Sequence, residues 1–186
     1  MKIQQKEPFK IGYNSITEIN GKCSEMMMDY GILKLTNGTE FKDDNKLEKV
    51  FLLLYGEIEI EWENNTKIFK RESFLDNDFI ALNVPYDVEV KIAGIAEDSE
   101  VAIFRTENSI RFNSIVRDKS NSVIETRGEG TMNGTGTRIV KTLMDKSLAQ
   151  ESNFMFGEDV HYPGKWAGFP SHSHNQPEIY YYKFYP

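Results

Sequence analysis

The sequence predicts an all-β protein of the sandwich or jelly-roll type. Short apolar or alternating runs follow one another at spacings of about ten residues between positions 9 and 116, and Gly, Asn and Asp separate them. No stretch in this part keeps a helical period long enough for a helix. A chain of 186 residues with 39% hydrophobic residues can bury a core, so we expect one folded domain or two small ones.

The individual strands follow from apolar alternation and from turn residues. The clearest predicted strands are 32–36, 50–55, 57–63, 79–85, 88–92 and 101–105. The strand 50–55 is expected to end at Gly56. In the strand 57–63, Ile58, Ile60 and Trp62 share one face and four glutamates share the other. This alternation predicts a buried face opposite a solvated one.

The pattern changes after this series of strands. Residues 106–122 are mostly polar and are expected to connect two units. Beyond them, strands are predicted at 138–141 and 153–157, with one modest helix at 142–150 and a turn at 161–166. The chain therefore looks like a complete first β-unit followed by a second, shorter one.

The glycine-rich segment 127–138 is not a phosphate-binding loop. It lacks the Gly-Lys-Ser/Thr ending of a P-loop, and no strand leads into it with a helix leading out at the required places. Its glycines permit tight turns instead. Arg127 and Arg138 at its two ends either bind an anionic group or form ordinary ion pairs.

Charge and cysteine content exclude several function classes. Lys and Arg number 22 against 29 Asp and Glu, the formal charge is -7, and no basic cluster is dense enough to follow a phosphate backbone, so no nucleic-acid partner is expected. Neither a secretory signal nor an apolar run of about 18 residues is present, so no membrane partner is expected. A single cysteine, Cys23, cannot form an internal disulfide. These features predict a cytoplasmic protein in which Cys23 is structural or incidental.

The three histidines of the chain all follow residue 160. His172 and His174 precede the strand-forming run 179–185, and residues i and i+2 of a strand point to the same face, so both imidazoles can bind one ion. Glu178 adds an oxygen ligand after a short bend. This set suits Zn, Mn, Fe or Ni. The competing interpretation is a pair of surface or core histidines, and His161 is expected to be a turn or packing residue.

The segment 164–178, which reads Gly-x5-Pro-x-His-x-His-x3-Glu, resembles the first metal-binding motif of cupins. The aromatic run 179–185 behind it and the upstream Gly-Thr-Gly-Thr-Arg at 134–138 narrow the resemblance. Together they are similar to the 5-deoxy-glucuronate isomerase family of inositol catabolism, in the superfamily shared with the 4-deoxy-5-keto-uronate isomerase of pectin breakdown. The specific part of this resemblance is residues 127–185.

The resemblance implies a bicupin built of two jelly-roll barrels. Residues 1–116 would form a degenerate, metal-free barrel, which agrees with the absence of histidine there. Residues 117–186 would form the linker and the N-terminal part of a second barrel that carries the metal motif. Family members extend further and take a fourth ligand, a histidine, from a later strand. We therefore expect a chain truncated within its second barrel, or a homo-oligomer in which a second copy completes the sheet.

The resemblance also implies an activity on a small-molecule sugar acid. The reaction is the aldose–ketose isomerisation of 5-deoxy-glucuronate to 5-dehydro-2-deoxy-gluconate, with a divalent metal, Zn first, on His172, His174 and Glu178. The alternatives are the isomerisation of 4-deoxy-5-keto-uronate, or a non-catalytic cupin that binds sugar acids. An incomplete second barrel predicts little activity.

Four further residues are assigned to the substrate. Arg138 or Arg127 would pair with the substrate carboxylate, and Tyr180 and Tyr182 would order the sugar hydroxyls. Glu178 is the only acid in the motif and the one candidate catalytic carboxylate. A metal-bound carboxylate is nevertheless a poor base, so the general base stays open.

Overall fold

The computed structural model describes residues 2–76, 78–168 and 170–184. The strands are β1 (Gly12–Thr17), β2 (Asp29–Leu35), β3 (Glu40–Asp43), β4 (Glu48–Trp62), β5 (Asn65–Arg71), β6 (Ile80–Val84), β7 (Val90–Gly94), β8 (Ser99–Thr106), β9 (Ile115–Arg117), β10 (Val123–Arg127), β11 (Arg138–Met144) and β12 (Phe156–His161). Two short 3-10 turns, Ser24–Met26 and Thr131–Gly134, are the only helical elements in the described residues. The all-β prediction is confirmed.

Strand β4 joins two layers of a sandwich. Its first half pairs with β6 and β8 in a sheet of order β1-β2-β8-β4-β6-β9, and its second half pairs with β5 and β7. The predicted end of this strand at Gly56 is wrong, because the chain continues straight from one layer into the other. Gly56 has φ of 101°, and a Cβ there would lie 2.6 Å from the carbonyl oxygen of Asp98. Glycine thus permits the crossing.

Apolar side chains fill the space between the two layers. Ile58, Ile60 and Trp62 on β4 pack in this core with Phe51 from the other half of the strand. The glutamates between them face outward, so the predicted alternation of a buried and a solvated face is confirmed. Among the described residues that follow β8, only Val116 packs against this core, at its margin.

A second core lies on the outer face of the six-stranded layer. Tyr30 and Leu52 present their side chains there, and Leu143, Met144 and Phe154 of the later chain cover them. Apolar burial of this kind contributes about 25 cal/mol per Å². The outer core therefore holds the second half of the chain against the sandwich.

That second half is built on a small antiparallel sheet of order β10-β11-β12. The predicted helix at 142–150 is wrong, because β11 continues to Met144 and buries Leu143 and Met144 completely. Asp145 then ends the strand in a single turn, where its carboxylate accepts hydrogen bonds from the amides of Ser147 and Leu148. The strand predicted at 153–157 begins only at Phe156 and runs to His161.

The C-terminal segment is extended without being part of a sheet. No backbone ladder includes residues 171–174 or 179–184, so the prediction of a strand there is wrong. Alternation nevertheless persists: Ile179 and Tyr181 pack against the outer core, whereas Tyr180 and Tyr182 are exposed. Phe169 in the predicted metal motif and Tyr185 at the end of the aromatic run lie outside the described residues.

Two further observations concern the extent of the units. Strand β9 still pairs with β6 of the sandwich, and the small sheet begins at Val123. The division into residues 1–116 and 117–186 stays a prediction. Within the described ranges, no helix has the length and apolar character required to cross a bilayer.

Candidate functional site

The three predicted metal ligands are neighbours in the structure. The ring centroids of His172 and His174 are 4.7 Å apart, with the rings nearly perpendicular at 85°. Nε2 of His174 lies 3.8 Å from Oε1 of Glu178. The carbonyl oxygen of Pro170 is 2.7 Å from Nδ1 of His172, so Nε2 is the ring nitrogen left for a metal. The segment therefore brings two imidazoles and one carboxylate together without a strand to hold them.

The donors have the right chemistry for a divalent metal but are not arranged as a closed site. The side chains of His174 and Glu178 are 37% and 41% exposed. Within the part of the chain that the structure describes, no three His, Cys, Asp or Glu side chains surround a common point as metal ligands. Two imidazoles and a carboxylate remain a donor set that fits Zn and similar ions. The metal site stays a prediction.

Tyr180 lies beside the predicted metal ligands. Partial burial, followed by a hydrogen bond from its hydroxyl to Glu178, raises the pKa of Tyr180 to about 12. Its ring stacks against that of Tyr182 with centroids 6.3 Å apart. Both predicted substrate tyrosines therefore lie on the outward side of the segment, beside the predicted metal ligands.

The two predicted substrate arginines lie side by side on the small sheet. Arg127 is the register partner of Arg138 across β10 and β11, so both side chains share one face. Arg127 forms a surface pair with Glu125 at 2.7 Å, whereas Arg138 is only 13% exposed and its Nε lies 3.9 Å from Oδ2 of Asp159. Each arginine thus faces a carboxylate and stands near the other.

Sequence reasoning missed two residues on the same face, Asp159 and His161. His161 is the register partner of Arg138 on β12, and Asp159 precedes it by two residues. The His161 Nε2 atom lies 3.9 Å from Oδ2 of Asp159. The signal in the sequence was the spacing of an acid and a histidine at i and i+2. It was overlooked because His161 was assigned to a turn, whereas it is the last residue of a strand.

The charged residues on this sheet face influence one another's ionisation. Burial raises the pKa of Asp159, and the nearby His161, Arg138 and Arg127 partly oppose that rise. The charge of Asp159 in turn contributes to the raised pKa of Tyr180. Tyr180 of the C-terminal segment therefore lies within electrostatic reach of Asp159 on the sheet face.

The opposite face of the small sheet is clamped to the sandwich. Glu158 points away from Asp159 and receives a bidentate pair from Arg71, with N–O distances of 2.6 and 2.9 Å. Lys141 lies 3.4 Å from the same carboxylate and donates to the carbonyl of Asp76. Burial lowers the pKa of this lysine. A buried ion network thus fixes β12, and with it the position of Asp159.

Comparison with known proteins agrees with this picture. The chain matches the sequence model of the KduI/IolB family over residues 2–186, which confirms the predicted resemblance. A search of curated proteins gave no match. The crystal structure of an IolB-like protein from Salmonella typhimurium LT2 superposes with a TM-score of 0.63 at 14% identity. The superposition covers 75% of this chain and 52% of that one, so the chain spans about half the length of this relative.

The fold is the predicted all-β cupin, or jelly-roll, fold, with sheets that do not close. Weaker likenesses reach a cupin domain of Schizosaccharomyces pombe Cnp3 and a cupin superfamily protein from Desulfitobacterium hafniense DCB-2. Their TM-scores are 0.40 and 0.41 at 15% and 12% identity. They cover 52% and 58% of this chain, and 61% and 84% of their own chains.

Proposed function

Because the chain belongs to the KduI/IolB family, we propose that it is a metal-dependent aldose–ketose isomerase that converts 5-deoxy-glucuronate to 5-dehydro-2-deoxy-gluconate. One observation carries the proposal beyond family membership. The donor set of His172, His174 and Glu178 adjoins Tyr180, and the charge of Asp159 reaches Tyr180 from a sheet face that also holds two arginines and a histidine.

The chemistry requires an activated carbonyl and a proton carrier. His172, His174 and Glu178 would hold the divalent ion, Zn first, with Mn, Fe or Ni as further candidates. When bound, such an ion supplies Lewis-acid polarisation of substrate oxygens. A proton must then move between neighbouring carbons through an enediol.

The remaining residues bind and orient the sugar acid. Arg138 and Arg127 offer guanidinium donors that suit a carboxylate, and Glu125 already occupies such a position against Arg127. The hydroxyls of Tyr180 and Tyr182 stand on the exposed side of the C-terminal segment, where they can hydrogen-bond the sugar. Substrate binding would displace the surface pair between Arg127 and Glu125.

A second candidate function is sugar-acid binding without turnover. The observation that favours it is the exposure of His174 and Glu178, because water has access to an open site and weakens electrostatic catalysis. This candidate keeps the arginines and tyrosines in their binding roles.

A substrate panel separates these possibilities. The purified, metal-loaded chain is incubated with 5-deoxy-glucuronate or with 4-deoxy-5-keto-uronate, and products are followed by NMR while binding is measured by calorimetry. We expect the keto product from 5-deoxy-glucuronate. Turnover of the other uronate alone would reassign the substrate, binding without turnover would support the binding protein, and neither binding nor turnover would refute the proposal.

A further inference from the structure

The C-terminal segment lies on the outer face of the sandwich without backbone pairing. Among the described residues, the backbone groups of 171–184 form no hydrogen bond with another part of the chain. Exposure nevertheless alternates strictly from 177 to 184, with odd-numbered residues partly buried and even-numbered residues exposed. Glu178, Tyr180 and Tyr182 therefore share an outward row. The side chains of the inward row must hold the segment in this orientation.

The inward row ends in Lys183, whose ammonium group contacts three side chains of the sandwich. Its Nζ atom lies 2.5 Å from Oε2 of Glu100 on β8. The same atom lies 5.0 Å and 5.5 Å from the ring centres of Tyr55 and Phe74. We call Tyr55, Phe74 and Glu100 the lysine socket. It suits an ammonium ion, which gains a charge-assisted hydrogen bond and cation–π attraction there.

Glu100 has a separate oxygen for each of two lysines. Its side chain is only 7% exposed. Its Oε1 atom accepts from Lys34 at 3.3 Å and from the hydroxyl of Tyr55 at 3.0 Å. Among the described residues, Lys183 is the one donor to Oε2. Removal of Lys183 would therefore leave one oxygen of a nearly buried carboxylate without a partner, which is unfavourable.

The other inward side chains make apolar contacts. Ile179 and Tyr181 pack against the outer core, and the ring centre of Tyr181 lies 6.0 Å from that of Tyr30. Apolar attraction is non-directional, so it does not by itself fix which residue occupies which place. The ion pair of Lys183 with Glu100 does, because it joins one ammonium group to one carboxylate oxygen.

The predicted metal ligands thus lie between two polar attachments. Upstream, the amide of Trp166 donates to the carbonyl of Thr135 at 2.9 Å. Downstream, Lys183 pairs with Glu100. A segment held at both ends has fewer conformations, so its side chains lose less entropy when they bind an ion. A shift of one residue at the downstream end would exchange the two rows and turn Glu178 toward the core.

We propose that Lys183 is a positioning residue for the metal site. Its ion pair with Glu100 fixes the direction and register of residues 178–182. Glu178 then faces outward toward the ion, together with the two tyrosines that order the sugar. The inference rests on the proposed function and deepens it, because Lys183 acts through the segment and touches neither the ion nor the substrate.

The test compares Lys183→Met with the matched control Lys34→Met. Both substitutions keep an unbranched side chain and remove one cation from Glu100, but Lys34 lies on β2 of the sandwich. For each metal-free protein, affinity for Zn²⁺ alone is measured by calorimetry, and chymotrypsin cleavage after residues 180–182 is followed by mass spectrometry. We expect Lys183→Met to bind zinc about 10–100-fold more weakly and to be cleaved about tenfold faster. Lys34→Met should behave like the wild type in both measurements.

A conservative variant separates positioning from a general loss of structure. Lys183→Arg keeps a cation for the lysine socket and should bind zinc more tightly than Lys183→Met. Urea unfolding of the metal-free proteins should be affected no more by Lys183→Met than by Lys34→Met, because the two side chains are 24% and 17% exposed. Equal zinc affinities of the Arg and Met variants would overturn the role of the charge.

The outcomes separate this role from the proposed function. If the wild type and Lys183→Met bind zinc with equal affinity, the positioning role is overturned and the isomerase proposal stands. Equal weakening in Lys183→Met and Lys34→Met would also overturn the role, because the effect would then belong to Glu100 rather than to the segment. A wild-type protein that binds no zinc would overturn the metal-dependent isomerase and the positioning role together.

Discussion

An ion pair at one end of the sandwich core is in direct contact, whereas an acid–histidine pair on the small sheet is not. At one end of the sandwich core, the fully buried carboxylate of Asp43 pairs with Arg105 at 2.6 Å, and Arg105 also donates to the hydroxyl of Tyr13. On the small sheet, Asp159 and His161 are 3.9 Å apart, and a buried imidazole nitrogen has no partner in the described part of the chain. The pair in direct contact stabilises the sandwich, whereas the desolvation of the imidazole nitrogen on the small sheet is uncompensated.

The sandwich and the small sheet also differ in how far their residues are buried. The sandwich buries a continuous core between its layers, whereas every residue of β10 is exposed. Stability therefore resides mainly in the sandwich, and the small sheet depends on contacts made by its inner face. Mutations in the two regions should separate stability from function.

The largest expected effect on stability is in the sandwich core. Phe51→Ala removes a fully buried ring and should lower the free energy of unfolding by about 3–5 kcal/mol. Ile124→Ala on β10 changes a side chain that is 40% exposed and should cost less than about 1 kcal/mol. Urea unfolding of both variants measures the difference. Equal losses would show that the small sheet contributes to the global core as strongly as the sandwich does.

The next effect concerns the clamp between the two regions. Glu158→Gln removes the bidentate carboxylate from the buried Arg71, which keeps only Asp76 as an acidic partner, and should cost about 3 kcal/mol. It should also increase amide hydrogen exchange in β11 and β12 before the sandwich opens.

A matched control lies on the same sheet. Glu125→Gln removes a surface pair with Arg127, in which both side chains are about half exposed, and should change stability by less than about 1 kcal/mol. If the two glutamine variants unfold at the same urea concentration, the clamp does not hold the sheet.

The smallest expected effect is on the titration of Asp159. Burial raises the pKa of Asp159, so its carboxyl should ionise at a higher pH than an ordinary aspartate. Arg127→Gln removes a positive charge that lowers this pKa, so the ionisation should move to higher pH by less than about one unit. His161, Arg138, Glu125 and Tyr180 also face this carboxyl and stay in place in the variant.

An NMR titration of the Asp159 carboxyl between pH 4 and 9, a window that spans the ordinary carboxyl and imidazole pKa values, detects the shift. Movement to lower pH would contradict the electrostatic account of Asp159.

The sequence predicts a strand correctly where apolar and polar residues alternate and the strand is paired in a sheet. The strand that carries Ile58, Ile60 and Trp62 was predicted because one face is buried and the other solvated. The continuation of β4 through Gly56 was not predictable, because the close approach of Asp98 that requires glycine arises only in the folded sandwich. The helix expected at 142–150 failed because tertiary burial of Leu143 and Met144 outweighs local helix preference.

The candidate site shows the same limit. The spacing of His172, His174 and Glu178 is visible in the sequence. The sequence does not show, however, that the described residues of this segment are extended without pairing to another strand. Asp159 and His161 acquire meaning only through the register that sets them beside Arg138. Pairing between distant strands is a property of the fold, and single-sequence patterns do not encode it directly.

The central claim is that residues 172–178 form a metal centre beside the charged face of the small sheet. Elemental analysis of the purified wild-type chain, next to His172→Ala, tests it most directly. The account predicts about one equivalent of a divalent metal in the wild-type protein and its loss in the variant, with unfolding changed by less than about 0.5 kcal/mol in the metal-free proteins because His172 is exposed. Wild-type protein without metal, or a variant that retains it, would contradict the claim.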